Sequence, residues 1–326
     1  MFRMGIVALV IIVGVPALFW LSARWSMDRD TRHTVATRSL PLLSASVTDG
    51  LIRIPARGFE FRARVAGLGN GGSGVVLLHG FPETSIMWEP LIARAAAAGF
   101  QVVAFDQRGY SPDARPEEVD AYAMPELIED VIGVADAVGF DRFHLVGHDW
   151  GSIVGWSLSA LRPDRVVSWT SLAIPHPKAI VEPGAKPKTP TYVKVFRTTG
   201  LAETIFGFAG RWVLNNVLYG TMSEAHRAEY DAVLAEPGAM TAALNWYRAA
   251  SFGEDSVEPA PVTQPVLYVY GKHDFPVFVN SRVQARLPDH VEGSLKSIKL
   301  DAGHWLIQDE EDIVVEEVMK HLEAVR

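Results

Sequence analysis

Short apolar runs recur along the chain after Val47, and helix-like segments separate them. Residues 59–65 alternate apolar and polar side chains, which is typical of a half-exposed antiparallel strand. The later runs are mostly unbroken, as expected for strands that are buried on both faces of a parallel sheet. These further predicted strands comprise residues 75–80, 102–106, 143–149, 166–173, 265–271 and 294–300.

Helix-like segments such as residues 90–98 and 125–138 lie between these runs. Alternation of strands and helices predicts the α/β class, with a parallel sheet covered by helices on both faces. The alternation stops after Pro175, where prolines and then aromatic-rich helical segments extend to about Ser256. We therefore predict one α/β core that is interrupted by a helical insertion.

The N-terminal residues 4–21 form a run of 18 residues without a charge. As a helix this run would span about 27 Å, just short of a hydrocarbon core of about 30 Å. We predict a membrane anchor over residues 1–25, with Trp20 near the interface and Arg24 closing the run. A cleaved signal peptide and a buried soluble helix are the alternatives, and the basic Arg3 fits a signal peptide.

The predicted organisation places a polar tether after the anchor and divides the core into two parts around the insertion. The segments are an anchor or signal at 1–25, a tether at 26–46, core at 47–176, helical cap at 177–258 and core at 259–326. Several arginines follow the apolar run and one precedes it, which favours a cytoplasmic catalytic portion. Secretion after signal cleavage is the alternative.

Composition removes several classes of function. The 326 residues contain no Cys, which excludes disulfides, thiolate metal sites and a Cys nucleophile. The formal net charge of −8 argues against a nucleic-acid partner, because such proteins present a basic face. No motif implies a metal or an organic cofactor.

Residues 147–151 read Gly-His-Asp-Trp-Gly and join a predicted strand to a predicted helix. Glycines on both sides of a central residue are typical of a nucleophile elbow, a turn too sharp for side chains. The central Asp149 suits attack on an sp³ carbon, which gives an alkyl ester. The alternative for Asp149 is an ordinary helix N-cap.

His304 and Asp274 are the predicted partners of Asp149, in the chain order nucleophile, acid, His. His304 follows the last predicted strand and would activate the water that hydrolyses the ester. Asp274 follows the strand at 265–271 and would orient His304. Asp301, three residues before His304, is the competing acid.

The segment His-Gly-Phe-Pro at 79–82 follows another predicted strand. The backbone N–H of Phe81 could pair with that of Trp150 in an oxyanion hole for the tetrahedral intermediate at Asp149. A structural role is at least as reasonable for the side chains of His79 and His148.

Taken together, the motifs closely resemble the α/β-hydrolase superfamily in its epoxide hydrolase and haloalkane dehalogenase branch. The motifs are HGFP, DQRGYSP, GHDWG, GKHD and GHW, and the resemblance covers residues 47–326. It implies an eight-stranded, mostly parallel sheet, a helical cap over the active site and an Asp nucleophile.

The resemblance also implies tyrosines in the cap that protonate the epoxide oxygen. Tyr247, in the segment 243–248, stands at the position of the second cap tyrosine, although a merely packed Tyr is the alternative. The position of the first cap tyrosine falls on Val195, and Tyr192, one helical turn from Phe196, could substitute and contact the substrate.

Two residues bear on the choice between an epoxide and a halide. Dehalogenases of this branch often have Asn where this chain has Phe81, and fluoroacetate-type dehalogenases have Arg where it has Trp150. Trp150 itself could contact either substrate. We therefore expect hydrolysis of a lipophilic epoxide to a diol by water. A haloalkane-type dehalogenase, another cap-domain hydrolase and a non-enzymatic binding protein remain as alternatives.

Overall fold

The computed structural model describes residues 39–181, 189–206, 222–250 and 260–326. Eight strands form one sheet, in the order β1-β2-β4-β3-β5-β6-β7-β8. The strands are β1 (Gly50–Ala56), β2 (Phe59–Ala66), β3 (Gly74–Leu78), β4 (Gln101–Phe105), β5 (Phe143–His148), β6 (Val166–Leu172), β7 (Val266–Gly271) and β8 (Leu295–Leu300). β2 pairs antiparallel with β1 and β4, and the remaining pairs are parallel. The predicted α/β class is confirmed, and the apolar pattern missed β1.

Helices connect the strands of the core. They are α1 (Glu89–Ala97), α2 (Met124–Ala137), α3 (Trp150–Leu161), α4 (Pro177–Ile180), α5 (Thr191–Arg197), α6 (Glu224–Leu234), α7 (Ala239–Ala249), α8 (Pro276–Val279), α9 (Ser281–Arg286), α10 (Leu306–Asp309) and α11 (Glu311–Ala324). Within the described ranges, short 3₁₀ helices occupy Ser85–Trp88, Val119–Tyr122 and Leu287–His290. α5, α6 and α7 fall within the predicted cap, where α7 packs on α5 and on the 3₁₀ helix before α2.

The core lies where the central strands meet the helices. β3, β4 and β5 are almost entirely buried, which explains their largely apolar sequences. α3 approaches β6 closely, because a Cβ added to Gly155 would lie 2.0 Å from the ring of Trp169. α3 therefore packs directly against the sheet.

The carboxyl ends of β3, β5, β7 and β8 lie at the same edge of the sheet. Leu78 pairs with Gly147, and Gly271 pairs with Leu300, so the loops after these strands begin side by side. In parallel α/β sheets the carboxyl ends of the strands form the usual site for ligands.

The predicted membrane segment lies outside the described residues. In the described ranges, no helix combines the length and the apolar composition that a bilayer crossing requires.

Candidate active site

The turn between β5 and α3 holds Asp149 in an uncommon backbone conformation. Its φ is 51° and its ψ is −116°, a region that residues other than glycine rarely occupy. The flanking glycines allow this turn, because a Cβ on Gly147 would lie 2.4 Å from the oxygen of Gly151. A Cβ on Gly151 would in turn lie 2.2 Å from the oxygen of Leu78. The turn therefore has the geometry of a nucleophile elbow.

The carboxylate of Asp149 lies against the loop that follows β3. The backbone N–H of Phe81 donates a hydrogen bond to Asp149 Oδ1 at 2.9 Å. Gly80 leaves room for this contact, because an added Cβ would lie 2.5 Å from the Cβ of Asp149. Trp150 opens α3, which places its backbone N–H at the positive end of that helix. The N–H of Phe81 thus contacts the Asp149 carboxylate, and Trp150 directly follows Asp149 in the chain.

His304 lies between two carboxylates. Its Nε2 is 3.5 Å from Asp149 Oδ2, and its Nδ1 is 3.0 Å from both carboxylate oxygens of Asp274. Asp274 is fully buried and also accepts a hydrogen bond from the backbone N–H of Phe275 at 2.6 Å. The competing Asp301 is exposed and contacts His273 and Lys272. The structure therefore brings Asp274, and not Asp301, to His304.

These charges set the protonation of the pair. Burial by itself would lower the pKa of His304, but its hydrogen bonds and charge interactions with Asp149 and Asp274 raise it to about 10. Burial likewise opposes ionisation of Asp149, yet the contact with His304 and the Phe81 amide lower its pKa. At neutral pH the site thus holds an aspartate and an imidazolium.

Tyr247 lies on α7 of the cap, and its ring contacts Trp150 and Phe81 beside Asp149. Its ring centroid lies 5.0 Å from that of Trp150 and 5.3 Å from that of Phe81. Burial, and next the charge of Asp149, raise the pKa of Tyr247 well above its ordinary value, while a hydrogen bond with the Trp150 side chain opposes the shift. The indole has only a donor, so the Tyr247 oxygen accepts this bond and keeps its own proton for another acceptor.

Tyr192 lies on α5, nearer the surface. Its ring centroid is 6.5 Å from that of Tyr247 and stacks at 6.1 Å on Phe275, and 41% of the residue is exposed. Burial, together with the charges of Asp149 and Asp274, raises the pKa of Tyr192 to about 12. Its phenol is therefore within electrostatic reach of both carboxylates.

The family described as alpha/beta hydrolase fold matches residues 75–311. Epoxide hydrolase A of Mycobacterium tuberculosis (strain ATCC 25618 / H37Rv) is 30% identical to this chain, over 76% of this chain and 90% of that protein. Epoxide hydrolase 3 of Mus musculus is also 30% identical, over 78% of this chain and 71% of that protein. The chain belongs to the α/β-hydrolase superfamily, in its epoxide hydrolase branch.

A solved structure shows the same fold. The crystal structure of epoxide hydrolase A from Mycobacterium thermoresistibile matches this α/β-hydrolase with a TM-score of 0.72, at 24% identity. The match covers 85% of this chain and 98% of that chain. The family resemblance predicted from the motifs is confirmed, together with the eight-stranded, mostly parallel sheet that it implied.

A second set of buried contacts in this α/β-hydrolase supports His304 and was not predicted from the sequence. His148 Nδ1 contacts Glu83 Oε2 at 2.7 Å, and its Nε2 contacts the backbone oxygen of His304 at 2.9 Å. Gln308 donates a hydrogen bond to the other oxygen of Glu83 at 2.8 Å. The chain of contacts joins the loops after β3, β5 and β8. These residues are far apart in the sequence, so only a known fold could have indicated the contacts.

His79 has a structural place in the same loop. Its Nδ1 contacts the backbone oxygen of Gly80 at 2.9 Å, and its Nε2 accepts a hydrogen bond from the backbone N–H of Gln107 at 3.0 Å. Burial lowers the pKa of His79, which keeps the ring neutral. The structural alternative stated for His79 and His148 agrees with these contacts.

All the residues predicted for the site are described and meet at one edge of the sheet. Asp149, His304, Asp274, Phe81 and Trp150 come from the core, while Tyr247 and Tyr192 come from the cap. Their chemical roles stay predictions. Among the described residues, no group of three or more His, Asp or Glu side chains is arranged to hold a metal ion.

Proposed function

We propose that this α/β-hydrolase converts epoxides to vicinal diols through a covalent ester on Asp149. The observation that carries the proposal is the position of Tyr247, a buried phenol that packs on the rings of Trp150 and Phe81, the residues next to the Asp149 carboxylate. An epoxide oxygen leaves as an alkoxide and needs a proton donor beside the nucleophile. The relatives that are named epoxide hydrolases support the same reaction.

In the first step, a carboxylate oxygen of Asp149 attacks an epoxide carbon and the ring C–O bond breaks. Tyr247 gives its proton to the ring oxygen, with Tyr192 as a second donor. Asp149 is then a neutral ester, so its negative charge no longer raises the pKa of His304. His304 gives its proton to the Tyr247 phenolate. This transfer restores the Tyr247 phenol and leaves His304 as a neutral base.

In the second step, His304 takes a proton from water and the hydroxide attacks the carbonyl carbon of Asp149. The N–H groups of Phe81 and Trp150 stabilise the resulting oxyanion. The C–O bond to the substrate breaks, and the second proton of the attacking water passes to the leaving alkoxide. The products are the diol, the Asp149 carboxylate and the imidazolium of His304, which is the starting state.

The substrate that fits this site is lipophilic and uncharged. Beside Asp149 the rings of Phe81, Phe196, Phe206 and Tyr247 pack against one another with centroids 4.9–6.0 Å apart. Such an aromatic wall favours apolar substituents on the epoxide. Asp149 and Asp274 disfavour substrates that carry an anion.

A direct test follows the label from water. In a single turnover in ¹⁸O-water, one labelled oxygen should enter Asp149, as read by mass spectrometry of the peptide that contains it. The His304→Gln variant should accumulate the ester, seen as added mass on the same peptide. A labelled diol formed without label in Asp149 would contradict the covalent route.

Haloalkane dehalogenation is the second candidate. It needs N–H donors for a halide, but the Trp150 indole is engaged by Tyr247. One assay can compare the two by measuring diol from an epoxide panel and halide from a haloalkane panel. We expect diol formation to dominate, and preferential halide release would reverse the assignment. Binding of these compounds without any turnover would support a non-enzymatic protein.

For the N-terminal residues 4–21, we propose a membrane anchor with the catalytic portion in the cytoplasm. The uncharged run and the arginines that follow it support this proposal. Extraction of membranes at alkaline pH should leave the full-length protein in the pellet, and protease should reach its catalytic portion only from the cytoplasmic side. A mature chain that begins after residue 23 would indicate signal cleavage instead.

A further inference from the structure

Glu229 is a cap residue whose carboxylate contacts the core. It lies on α6, and its side chain is 15% exposed. Its Oε1 accepts hydrogen bonds from Arg62 at 3.0 Å and from Arg64 at 2.9 Å, and its Oε2 accepts one from Arg64 at 2.6 Å. Arg62 and Arg64 belong to β2. The carboxylate therefore links α6 to β2 through hydrogen bonds and ion pairs.

The same carboxylate also reaches the loop that carries the proposed oxyanion donor. The hydroxyl of Thr84 donates a hydrogen bond to Glu229 Oε1 at 2.8 Å. Thr84 lies three residues after Phe81, within residues 79–85, which we call the oxyanion loop. A cap side chain is thus bonded directly to the loop whose backbone N–H contacts Asp149.

A second connection runs through the sheet. Arg62, which contacts Glu229, also donates to Asp106 Oδ2 at 2.5 Å. The other oxygen of Asp106 accepts a hydrogen bond from the backbone N–H of Ser85 at 2.7 Å. Burial by itself would raise the pKa of Glu229, but the two arginines lower it, so the carboxylate stays ionised at neutral pH. Glu229 is therefore linked to the oxyanion loop at two successive residues, Thr84 and Ser85.

We propose that Glu229 is a positioning residue, through which docking of the cap holds the oxyanion loop in place for hydrolysis of the ester. This inference rests on the proposed two-step reaction. In ester formation the charge on Asp149 is lost, so the N–H of Phe81 gives no extra stabilisation to the transition state. In hydrolysis a negative charge develops on the carbonyl oxygen of Asp149, and the position of that N–H then matters.

The test is transient kinetics on the full-length enzyme with one epoxide that it hydrolyses. Glu229→Gln keeps the size of the side chain and removes the charge that pairs with Arg62 and Arg64. Removal of a whole oxyanion donor costs about 10²–10³-fold in rate, so we expect a shifted donor to slow ester hydrolysis about tenfold. Ester formation should change less than about twofold, because it does not use the donor. The variant should therefore accumulate ester, measured by mass spectrometry of quenched samples.

A matched control separates positioning from simple loss of a cap contact. Glu236 pairs with Arg115 of the core at 2.5 Å, and both side chains are 11% exposed. Arg115 also donates to the backbone oxygens of Gly109, Tyr110 and Val233. Within the described part of the chain, neither side chain of this pair bonds to the oxyanion loop. Glu236→Gln should lower the melting temperature about as much as Glu229→Gln and leave the ratio of the two rate constants unchanged.

A variant on the core side tests the same contact if Glu229→Gln folds poorly. Thr84→Val removes the hydroxyl and should also slow hydrolysis selectively, whereas Thr84→Ser keeps the hydroxyl and should recover the rate. Equal slowing of both steps in Glu229→Gln, or hydrolysis at the normal rate in Thr84→Val, would overturn the inference while leaving the proposed function intact. A single turnover in ¹⁸O-water that leaves Asp149 unlabelled would instead overturn the two-step reaction, and this inference with it.

Discussion

The carboxylates of Asp149 and Asp274 both stabilise the proton on His304. The pKa of about 10 reflects interactions with Asp149 and Asp274 that overcome the effect of burial. In the free enzyme His304 is therefore an imidazolium up to about pH 10, and it cannot act as a base. Formation of the ester removes one of the two charges, so the reaction itself produces the base that the next step requires.

Removal of the Asp149 carboxylate should therefore lower the pKa of His304. We expect Asp149→Ala to shift the titration of His304 below that of the unmodified protein, as measured by NMR of the imidazole. The control is Asp301→Asn, which removes an exposed carboxylate three residues before His304 in the sequence. Asp301 contacts His273 and not His304. An unchanged titration in Asp149→Ala would contradict the proposed coupling between ester formation and the base.

Tyr247 and Tyr192 should contribute unequally to ring opening. General acid catalysis is worth about 10²–10⁴-fold, so we expect Tyr247→Phe to slow ester formation by about a hundredfold or more. Tyr192→Phe should have a smaller effect, because 41% of Tyr192 is exposed to water whereas Tyr247 is buried. Rapid-quench measurement of the ester gives both rates. Tyr122→Phe is the control, since its hydroxyl donates to the backbone oxygen of Pro116.

At the scale of single residues, the sequence could predict which side chains near strand ends belong to the site. Asp149, His304 and Asp274 each follow a predicted strand, and the carboxyl ends of parallel strands meet at one edge of the sheet. The contacts of Glu83 with His148 could not be predicted in this way. The two residues are 65 positions apart in the sequence, and no local motif links them.

At the scale of elements, the pattern predicted buried strands better than edge strands. β3 to β6 are mostly apolar and almost entirely buried, and they were found. β1 was missed because Arg53 and Pro55 interrupt its apolar residues. An edge strand has a neighbour on one side only, so polar residues and proline are tolerated there. The pattern therefore found every strand except β1, including β8 at the opposite border of the sheet, where apolar and polar residues are interspersed.

The packing of α3 on β6 predicts a difference between two helical glycines. Gly155→Ala should lower the free energy of unfolding by about 1–3 kcal/mol, because its Cβ would overlap the buried ring of Trp169. Gly133→Ala, within α2, should change it by less than about 1 kcal/mol, because its Cβ would meet mainly the Arg57 side chain at 3.0 Å, which can move. Denaturant unfolding compares the two, and equal losses would contradict the tight packing of α3.

At the scale of the whole molecule, the site exists only where cap and core meet. The core supplies Asp149, His304 and Asp274, and the cap supplies Tyr247, Tyr192 and the carboxylate of Glu229. The sequence indicated a helical insertion and, through the family resemblance, its cap tyrosines. It could not show that Glu229 binds Thr84, because these residues are 145 positions apart. Such contacts depend on how the two parts pack, which no local pattern encodes.

The division between anchor and enzyme gives the last prediction. Residues 39–326 contain all eight described strands and every residue proposed for the reaction. A chain that begins at Ser39 should therefore fold and hydrolyse a water-soluble epoxide as fast as the full-length chain does. The full-length chain should sediment with phospholipid vesicles, and the shortened chain should stay in the supernatant, because only the former carries the uncharged run at 4–21. Equal sedimentation of the two chains would place membrane binding elsewhere, and loss of turnover in the shortened chain would show that residues 1–38 support the enzyme itself.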